Sequence, residues 1–400
     1  MVVIEGKIVN FDGIKDSQIL IENGVIKKVG SIGKPDILTN SFIFPGFIDL
    51  HVHAREDITG KQNYKEDFNS AGKAAINGGV TFIAEMPNNP CPPVDDESYE
   101  KKQSLTQNCD VGVLLYAGVG QNTKPLKKNV PYKVFMGQSV GELFFNSNKE
   151  LEHAIEKYSG KNVSFHCEDE QILIANKDKK THEKQRPRQA EIEAIKHAIE
   201  LIRKYELTGK ICHCSTKEGL ELIRQAKNQG VKVTCEVTPH HLFFDESMII
   251  DFKPNFLKMN PPLREASDCK ALLEGLKDGN IDYLATDHAP HLVQEKEEGC
   301  AGVPNLDTFS KIACWLMDNG LNPEDISRVC AYNPGDFANQ FRNQKLGKIE
   351  EGYTANLTFI NCKKKEQVNV KSKCGWSPFE KLLTKGVVEM VFIHGKQFSP

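Results

Sequence analysis

The chain has 400 residues, of which 39% are hydrophobic and 26% are charged, so it can bury one large core with a smaller one attached. Its net charge of -3, with both signs interspersed, provides no electrostatic surface for nucleic acid or an anionic membrane. No run reaches the roughly eighteen apolar residues of a membrane span, and the amino terminus lacks a basic region followed by an apolar core. We therefore expect a cytoplasmic protein that binds neither nucleic acid nor a membrane.

The two ends of the chain predict small β units. Residues 2–30 form short alternating strands with a turn at Asn23-Gly24, and Asn-Gly is a strong hairpin signal. The last fifty or so residues return to the same alternation. Because strands from both ends can pair with each other, residues 1–45 and 346–400 are predicted to form one composite β-sandwich.

Between these ends, the pattern changes to apolar runs separated by helical segments. One helix opens at Pro187 and another closes on Gly230. Eight strand candidates that alternate with helices predict an α/β fold, a (β/α)8 TIM barrel over residues 46–345. The strand candidates are FIDLHVH, VTFIAEMP, VGVLLYAG, YKVFMG, NVSFHCE, GKICHCS, VKVTCEV and DYLATDH.

Two histidines end the first of these strands, in the segment FIFPGFIDLHVHAR. Residues i and i+2 of a strand lie on the same face, so His51 and His53 can reach one metal ion together. The alternative is that main-chain groups or water satisfy both imidazoles.

Three further strand candidates also end in a possible metal ligand, and these are His166, His213 and Asp287. In a (β/α)8 barrel, the carboxyl ends of the strands form one mouth where active sites lie. The five residues are therefore expected to converge on a metal site. Imidazole and carboxylate suit zinc, while manganese, cobalt and nickel remain possible.

Such a metal site predicts hydrolysis. A bound divalent ion lowers the pKa of water to about 7 and so supplies hydroxide as a nucleophile at neutral pH. Asp287 can ligate the ion and also carry the proton of the nucleophile to a leaving nitrogen.

The twelve cysteines lack the spacing of a secreted disulfide scaffold, and we expect reduced, mostly buried thiols. Cys212 and Cys214 flank His213, so zinc ligation by sulfur is one interpretation. Strand alternation places both cysteines on the face opposite His213, which favours core packing for the two thiols.

Six motifs are spread along the chain, namely PGFIDLHVHAR, AEMPNNP, YKVFMG, MNPPLR, TDHAPH and GVPNLDT. In combination they resemble the cyclic amidohydrolases, and most of all the dihydroorotases of the longer-chain type. The similarity runs from about residue 1 to the carboxyl end. The resemblance implies hydrolysis of a cyclic amide, the reversible interconversion of dihydroorotate and N-carbamoyl-aspartate in pyrimidine biosynthesis. A small-molecule substrate and a homodimer are also implied.

The resemblance further implies two divalent metal ions bridged by a lysine that carbon dioxide has carboxylated. Lys133 in YKVFMG occupies the matching place, whereas on its own it would be interpreted as a strand-end or surface lysine. Some relatives of this type lack the bridging lysine and bind fewer metals. The other implied ligands are, for the more buried ion, His51, His53 and Asp287 and, for the second ion, His166 and His213.

Dihydroorotate carries a ring carboxylate, so its site should supply cations and hydrogen-bond donors. Arg55 lies two residues after His53, on the same face if the strand continues, and its planar fork suits a carboxylate. The alternatives are an ion pair of Arg55 with Glu56 or Asp67, and a plain turn position for Asn88. The resemblance assigns the substrate contacts to Arg55, Asn88 and His291 for the carboxylate and to Asn260 and the backbone near Gly302 for the ring.

The loop after HVHAR departs from the family pattern, because many relatives continue with Glu-Pro-Gly and this chain continues with EDITG. All five strand-end ligands and Lys133 are present, which favours an enzyme over a catalytically dead scaffold that binds aspartate transcarbamoylase or serves cytoskeletal signalling. Hydantoinase and allantoinase are the enzyme alternatives, since they share the metal site without the full carboxylate-binding set.

Overall fold

The computed structural model describes residues 1–138 and 143–400. None of the helices in these ranges is long and apolar enough to cross a membrane. The strands are β1 (Val2–Asn10), β2 (Gly13–Glu22), β3 (Val25–Gly30), β4 (Ile37–Pro45), β5 (Phe47–Val52), β6 (Val80–Glu85), β7 (Gly112–Leu115), β8 (Ala117–Gly118), β9 (Tyr132–Phe135), β10 (Asn162–His166), β11 (Thr208–Ile211), β12 (Val233–Val237), β13 (Tyr283–Leu284), β14 (Leu357–Lys365), β15 (Lys385–Ile393) and β16 (Lys396–Phe398).

The α-helices are α1 (Phe68–Gly78), α2 (Asp96–Leu105), α3 (Asn148–Ile155), α4 (Glu170–Asn176), α5 (His182–Gln185), α6 (Arg188–Lys204), α7 (Lys217–Asn228), α8 (Pro239–Phe243), α9 (Ala266–Lys277), α10 (Val293–Glu297), α11 (Phe309–Asp318), α12 (Pro323–Ser327) and α13 (Asn333–Asn339).

The two ends of the chain form one seven-stranded sheet in the order β16-β15-β14-β4-β1-β2-β3. The β2–β3 hairpin turns at Asn23 and Gly24, whose φ values of 52° and 77° agree with the predicted Asn-Gly turn. Antiparallel pairing of β4 with β14 joins the first and last parts of the chain. The limits predicted for this unit, 1–45 and 346–400, stay a prediction. The sheet has its own apolar core, which includes Ile4, Ile19, Ile43 and Phe359.

The middle of the chain forms the predicted (β/α)8 barrel. Strands β5, β6 and β7 pair in parallel, and β8 to β13 form a second parallel sheet. Only Tyr116 separates β7 from β8, so these two are one interrupted barrel strand. A parallel bridge between Val52 and His288 closes the barrel from the eighth strand to the first. Each of the eight apolar runs is therefore a barrel strand, as predicted.

The amino-terminal end of the barrel interior is apolar. Ile48 and Leu50 of β5 pack there against Phe82 and Tyr283, and Phe337 of α13 joins the same cluster. The Lys210 ammonium lies among the rings of this cluster, and further polar side chains, including His51, follow toward the carboxyl ends of the strands. This division confines the chemistry to the carboxyl end of the barrel.

The outer helices follow the predicted amphipathic pattern. Helix α6 begins after Pro187 and buries Ile192, Ile195 and Ile202. Each buried isoleucine side chain contributes about 1.5–3 kcal/mol to folding. Helix α7 ends shortly before Gly230, whose φ of 77° lies in the left-handed region that favours glycine.

Candidate metal centre and substrate cavity

The first group of candidate metal ligands lies where the first and eighth barrel strands end. Nε2 of His51 and Nε2 of His53 lie 3.2 and 3.0 Å from the same atom, Oδ1 of Asp287. All three side chains are buried. Asp287 follows β13 with a φ of 47°, so it no longer has strand geometry. These three residues form a group that could hold a metal ion.

The outer nitrogens of both imidazoles contact acceptors. Nδ1 of His51 lies 2.6 Å from Oε1 of Glu236, and Nδ1 of His53 lies 2.6 Å from Oδ1 of Asn88. Since a carboxylate only accepts, Nδ1 of His51 donates and Nε2 keeps a lone pair, and the amide oxygen imposes the same tautomer on His53. Burial lowers the pKa of both imidazoles well below 6.5, which keeps them neutral.

Two lone pairs and a carboxylate oxygen therefore face one another at Asp287. A proton or a metal cation must bridge such an arrangement, because three acceptors repel each other. Two histidines and a carboxylate, each oriented by a further polar partner, are a donor set that suits a divalent metal ion.

A second pair of histidines lies next to this group, because the rings of His51 and His213 are 5.4 Å apart. Nδ1 of His166 is 2.8 Å from Nε2 of His213, and Nε2 of His166 is 2.9 Å from Glu168. Glu168 also pairs with Arg186 at 2.7 Å. The Glu168 carboxylate accepts from Nε2 of His166, which leaves a lone pair on Nδ1. Nδ1 of His166 and Nε2 of His213 could thus bind a second ion.

Lys133 on β9 is completely buried close to both groups. After burial itself, its ammonium is among the causes that lower the pKa of His51, His166 and His213. Nζ of Lys133 donates to Sγ of Cys212 at 2.9 Å, and no carboxylate of the described residues pairs with it. A buried ammonium without an anionic partner is costly. Carboxylation of Nζ would replace this positive charge with a negative one.

The strand-face prediction for Cys212 was wrong. Strand β11 ends at Ile211, and His213 has a φ of 36°, so strand alternation does not apply to these residues. Cys212 lies inside the barrel, and its sulfur forms with His51 and Glu236 a further group that could hold a metal ion.

Arg55 reaches the mouth by a different backbone path from the one expected. Strand β5 ends at Val52 and Arg55 has a φ of 63°, so the strand does not continue to Arg55 and the assumption of a shared strand face with His53 was wrong. The Arg55 side chain is nevertheless buried at the site. Its Nη2 lies 3.4 Å from Nε2 of His291, and its Nε has no hydrogen-bond partner.

The alternative ion pair of Arg55 with Glu56 or Asp67 is not formed. Glu56 accepts the main-chain N–H of Phe68 at 2.8 Å, and Asp67 pairs with Lys373 at 2.5 Å. Among the residues that the structure describes, no carboxylate pairs with this buried guanidinium. Because a guanidinium keeps its charge and offers five N–H donors, Arg55 can bind an anionic group in this part of the site.

One cavity at the mouth brings most of the predicted site residues together. Of the predicted site residues, Lys133 and His291 do not line it, although His291 contacts Arg55 at 3.4 Å. Oδ1 of Asn260 is buried there without a partner. The predicted residues that line the cavity are His51, His53, Arg55, Asn88, His166, His213, Asn260, Asp287 and Gly302.

Comparison with known proteins agrees with this geometry. The profile of the Amidohydrolase family matches residues 42–398. This chain belongs to the amidohydrolase family. Amidohydrolases depend on metal ions, and the group of His51, His53 and Asp287 is a candidate site for one.

Similar sequences cover nearly the whole chain. A dihydroorotase of Pyrococcus furiosus is 32% identical over 99% of this chain and 92% of its own length. Dihydroorotases of Methanosphaera stadtmanae and Staphylococcus aureus are 34% and 32% identical, each over 94% of this chain and over 90% and 93% of their own lengths.

Two solved structures have the same fold as this chain. The L-hydantoinase (dihydropyrimidinase) of Arthrobacter aurescens superposes with a TM-score of 0.90 at 25% identity, over 100% of this chain and 96% of its own. The dihydropyrimidinase of Brevibacillus agri gives a TM-score of 0.86 at 20% identity, over 99% of this chain and 94% of its own.

Two residues that support the site were not predicted. Nζ of Lys210 donates to Oε2 of Glu236 at 2.6 Å, and both side chains are buried inside the barrel. The sequence carries a signal for this pair, because each charge interrupts an apolar strand run, GKICHCS or VKVTCEV. A charged side chain inside a buried strand needs a partner, so the two runs could have been matched.

Proposed function

We propose that this protein is a dihydroorotase, which interconverts dihydroorotate and N-carbamoyl-aspartate reversibly. The observation that carries the proposal is the buried guanidinium of Arg55, which lines the cavity beside His291 without an anionic partner among the described residues. Dihydroorotate is a cyclic amide with a carboxylate, and that carboxylate would pair with the Arg55 guanidinium. Dihydrouracil and hydantoin lack this group. The identity of 32–34% to proteins named dihydroorotase supports the same substrate.

The strand-end ligands would hold two divalent metal ions, which we propose to be zinc. Carboxylated Lys133 would join the two sites. Divalent ions supply a water of lowered pKa, about 7, and polarise the amide carbonyl. The proposed ligand atoms are Nε2 of His51, Nε2 of His53 and a carboxylate oxygen of Asp287 for one ion, and Nδ1 of His166 and Nε2 of His213 for the other.

Asp287 is the proposed proton carrier. Its carboxylate lines the cavity, and the two imidazoles in contact with it are neutral. In the hydrolytic direction, the carboxylate accepts the proton of the attacking water and delivers it to the ring nitrogen as the C–N bond breaks. The reverse reaction uses the same oxygen in the opposite order.

Arg55, His291 and Asn88 form the proposed clamp for the substrate carboxylate. Nη2 of Arg55 lies 3.4 Å from Nε2 of His291, and Nζ of Lys65 lies 3.4 Å from Nδ1, where Oε2 of Glu295 also lies 3.6 Å away. With its proton on Nε2, the imidazole would donate to a substrate carboxylate together with the Arg55 guanidinium. Asn88 uses its oxygen on His53, which leaves its amide N–H2 as a further donor.

Purified protein tests the proposal directly, by elemental analysis and an absorbance assay of dihydroorotate cleavage. We expect about two divalent ions per chain and cleavage of dihydroorotate with strong preference over dihydrouracil, because dihydrouracil would leave the clamp unpaired. Equal rates on dihydrouracil or hydantoin would favour the hydantoinase alternative. A protein without metal, inactive after addition of zinc or manganese, would instead be a scaffold.

The Arg55→Ala variant tests the clamp. We expect a loss of about 2–4 kcal/mol in kcat/KM for dihydroorotate, because a charge-assisted contact disappears from a buried site. The ratio of kcat/KM for dihydroorotate to kcat/KM for dihydrouracil should therefore decrease. Arg328→Ala is the matched control, since that guanidinium pairs with Asp325 and does not line the cavity. Equal losses on both substrates would contradict the clamp.

We also propose, from the family resemblance, a cytoplasmic homodimer. Sedimentation of the purified protein measures its mass in solution, and a monomer there would contradict the dimer.

A further inference from the structure

Lys296 on α10 is a buried lysine with an unusual set of partners. Its side chain is completely buried, and Nζ donates to three main-chain carbonyls, those of Lys258 at 2.9 Å, Cys300 at 2.8 Å and Gly302 at 2.8 Å. An ammonium has three N–H donors, so this hydrogen-bonding capacity is complete. No carboxylate in the described part of the chain pairs with Nζ.

The three carbonyls belong to two segments that carry the cavity wall. Lys258 lies two residues before Asn260, which lines the cavity, and Gly302 lines it directly together with Ala301. The main-chain N–H of Gly302 also donates to the carbonyl of Lys258 at 2.9 Å. The ammonium and this bond together hold the two wall segments against each other.

The backbone at Gly302 is also tightly packed on the side that faces Ala289 and His291. Gly302 has a φ of 135°, and a Cβ at this position would meet the carbonyl oxygen of Ala289 at 2.7 Å and Cδ2 of His291 at 3.1 Å. Ala289 is itself a lining residue. A shift of the loop around Gly302 would therefore displace residues that line the cavity and change its shape.

We propose that Lys296 is a positioning residue for substrate, which holds Asn260 and Gly302 at the spacing that the substrate ring requires. This inference rests on the proposed function, because Asn260 and Gly302 are the residues assigned to the ring. Lys296 contacts none of the candidate metal ligands, so its removal should weaken substrate binding and leave the metal ions in place.

The chemistry of the side chain is consistent with this role. Burial, together with the nearby charge of Lys258, lowers the pKa of Lys296 from 10.5 to about 7. Burial of an ammonium raises the free energy of the folded state, and an apolar side chain of similar volume would fill the same space without this desolvation penalty. What an apolar residue cannot do is hold three carbonyls from two segments at once.

The chain offers a matched control in Lys311. This lysine of α11 is also buried, and it donates to the carbonyls of Glu366 at 2.7 Å and Thr384 at 3.1 Å. Those carbonyls belong to segments that do not line the substrate cavity. Lys296→Met and Lys311→Met thus remove the same kind of contact at two places, of which only one carries the cavity wall.

The experiment measures KM, kcat, metal content and thermal unfolding for the wild type, Lys296→Met, Lys296→Gln and Lys311→Met with dihydroorotate. For Lys296→Met we expect KM to rise about tenfold and kcat to change by less than about threefold, with unchanged metal content. Lys296→Gln keeps two N–H donors and should give an intermediate KM. Lys311→Met should lower the unfolding temperature and leave KM unchanged.

An unchanged KM in Lys296→Met, or an equal rise in Lys311→Met, would overturn the proposal. Failure of both Lys296 variants to fold would also overturn it, because the residue would then serve folding alone. A wild type that cleaves hydantoin or dihydrouracil as well as dihydroorotate would contradict the proposed function instead, and the KM of the variants can then be measured on that ring.

Discussion

Lys133 and Lys210 are both buried inside the barrel, on β9 and β11, yet their surroundings differ. Lys210 donates to Glu236 at 2.6 Å and lies 5.4 Å from the ring centre of Tyr116. Although burial opposes it, the Glu236 carboxylate holds the pKa of Lys210 well above its usual value. Lys133 contacts the sulfur of Cys212 and pairs with no carboxylate of the described residues.

The difference separates two levels of the barrel. At the level of Lys210 the charges are paired, because Lys210 donates to one oxygen of Glu236. The second oxygen of Glu236 accepts from Nδ1 of His51 and so orients this imidazole. At the level of Lys133 no carboxylate of the described residues pairs with the ammonium, and lone pairs of His51 and His53 face Asp287. The lower level therefore orients the ligands, and the upper level provides the groups for binding and chemistry. Substitutions at the upper level should reduce activity, and substitutions at the lower level should reduce stability.

The largest effect is expected for Asp287→Asn at the upper level. The amide keeps the shape of the side chain and cannot carry the proton, so kcat should fall by about four orders of magnitude, or about 5 kcal/mol, while substrate binding is largely retained. Single-turnover kinetics measures the rate of the chemical step, and substrate titration measures binding. Asp282→Asn is the control, because Asp282 is half-buried at the other end of the same barrel strand but pairs with Lys227 and does not line the cavity. Near-normal rates in Asp287→Asn would point to another base, with His291 as the next candidate.

Lys210→Met tests the lower level. It leaves the buried Glu236 carboxylate without its cation, and we expect a loss of about 4 kcal/mol in the free energy of unfolding, measured with urea. Adding Glu236→Gln removes the uncompensated charge and should recover stability without recovering activity, because His51 then loses its anionic partner. If Lys210→Met unfolds like the wild type, the pair does not stabilise this level.

Lys133→Ala should behave in the opposite way. No buried ion pair is broken, so stability should change little, whereas metal content should fall and activity should drop by about a hundredfold. Short carboxylic acids that fill the gap should restore part of the activity. Full activity and full metal content in this variant would mean that the site works without a lysine bridge.

Much of the barrel and of the site could be predicted from the chain alone. The eight apolar runs predicted barrel strands, because a parallel strand that is buried on both faces consists almost entirely of apolar residues. His51, His53, His166, His213 and Asp287 converge because the ends of parallel strands meet at one mouth. The hairpin at Asn23-Gly24 followed from local backbone preference.

What the sequence could not reveal is the path of the backbone once each strand has ended. Arg55, His213 and Asp287 all have positive φ values, of 63°, 36° and 47°. Strand alternation does not apply to residues in this conformation, which is why the face predicted for Cys212 was wrong. Such conformations persist only where the surrounding fold holds them.

The residue types and their order along the chain thus determined the barrel, the terminal sheet and the candidate ligands, because periodicity and strand ends are local properties. The tertiary structure alone decided which charges are paired and which are not. Lys210 meets Glu236 because β11 and β12 are neighbours, and the described chain around Arg55 and Lys133 contains no carboxylate that pairs with them. Pairing depends on distances between residues far apart in sequence, and only the folded chain sets those distances.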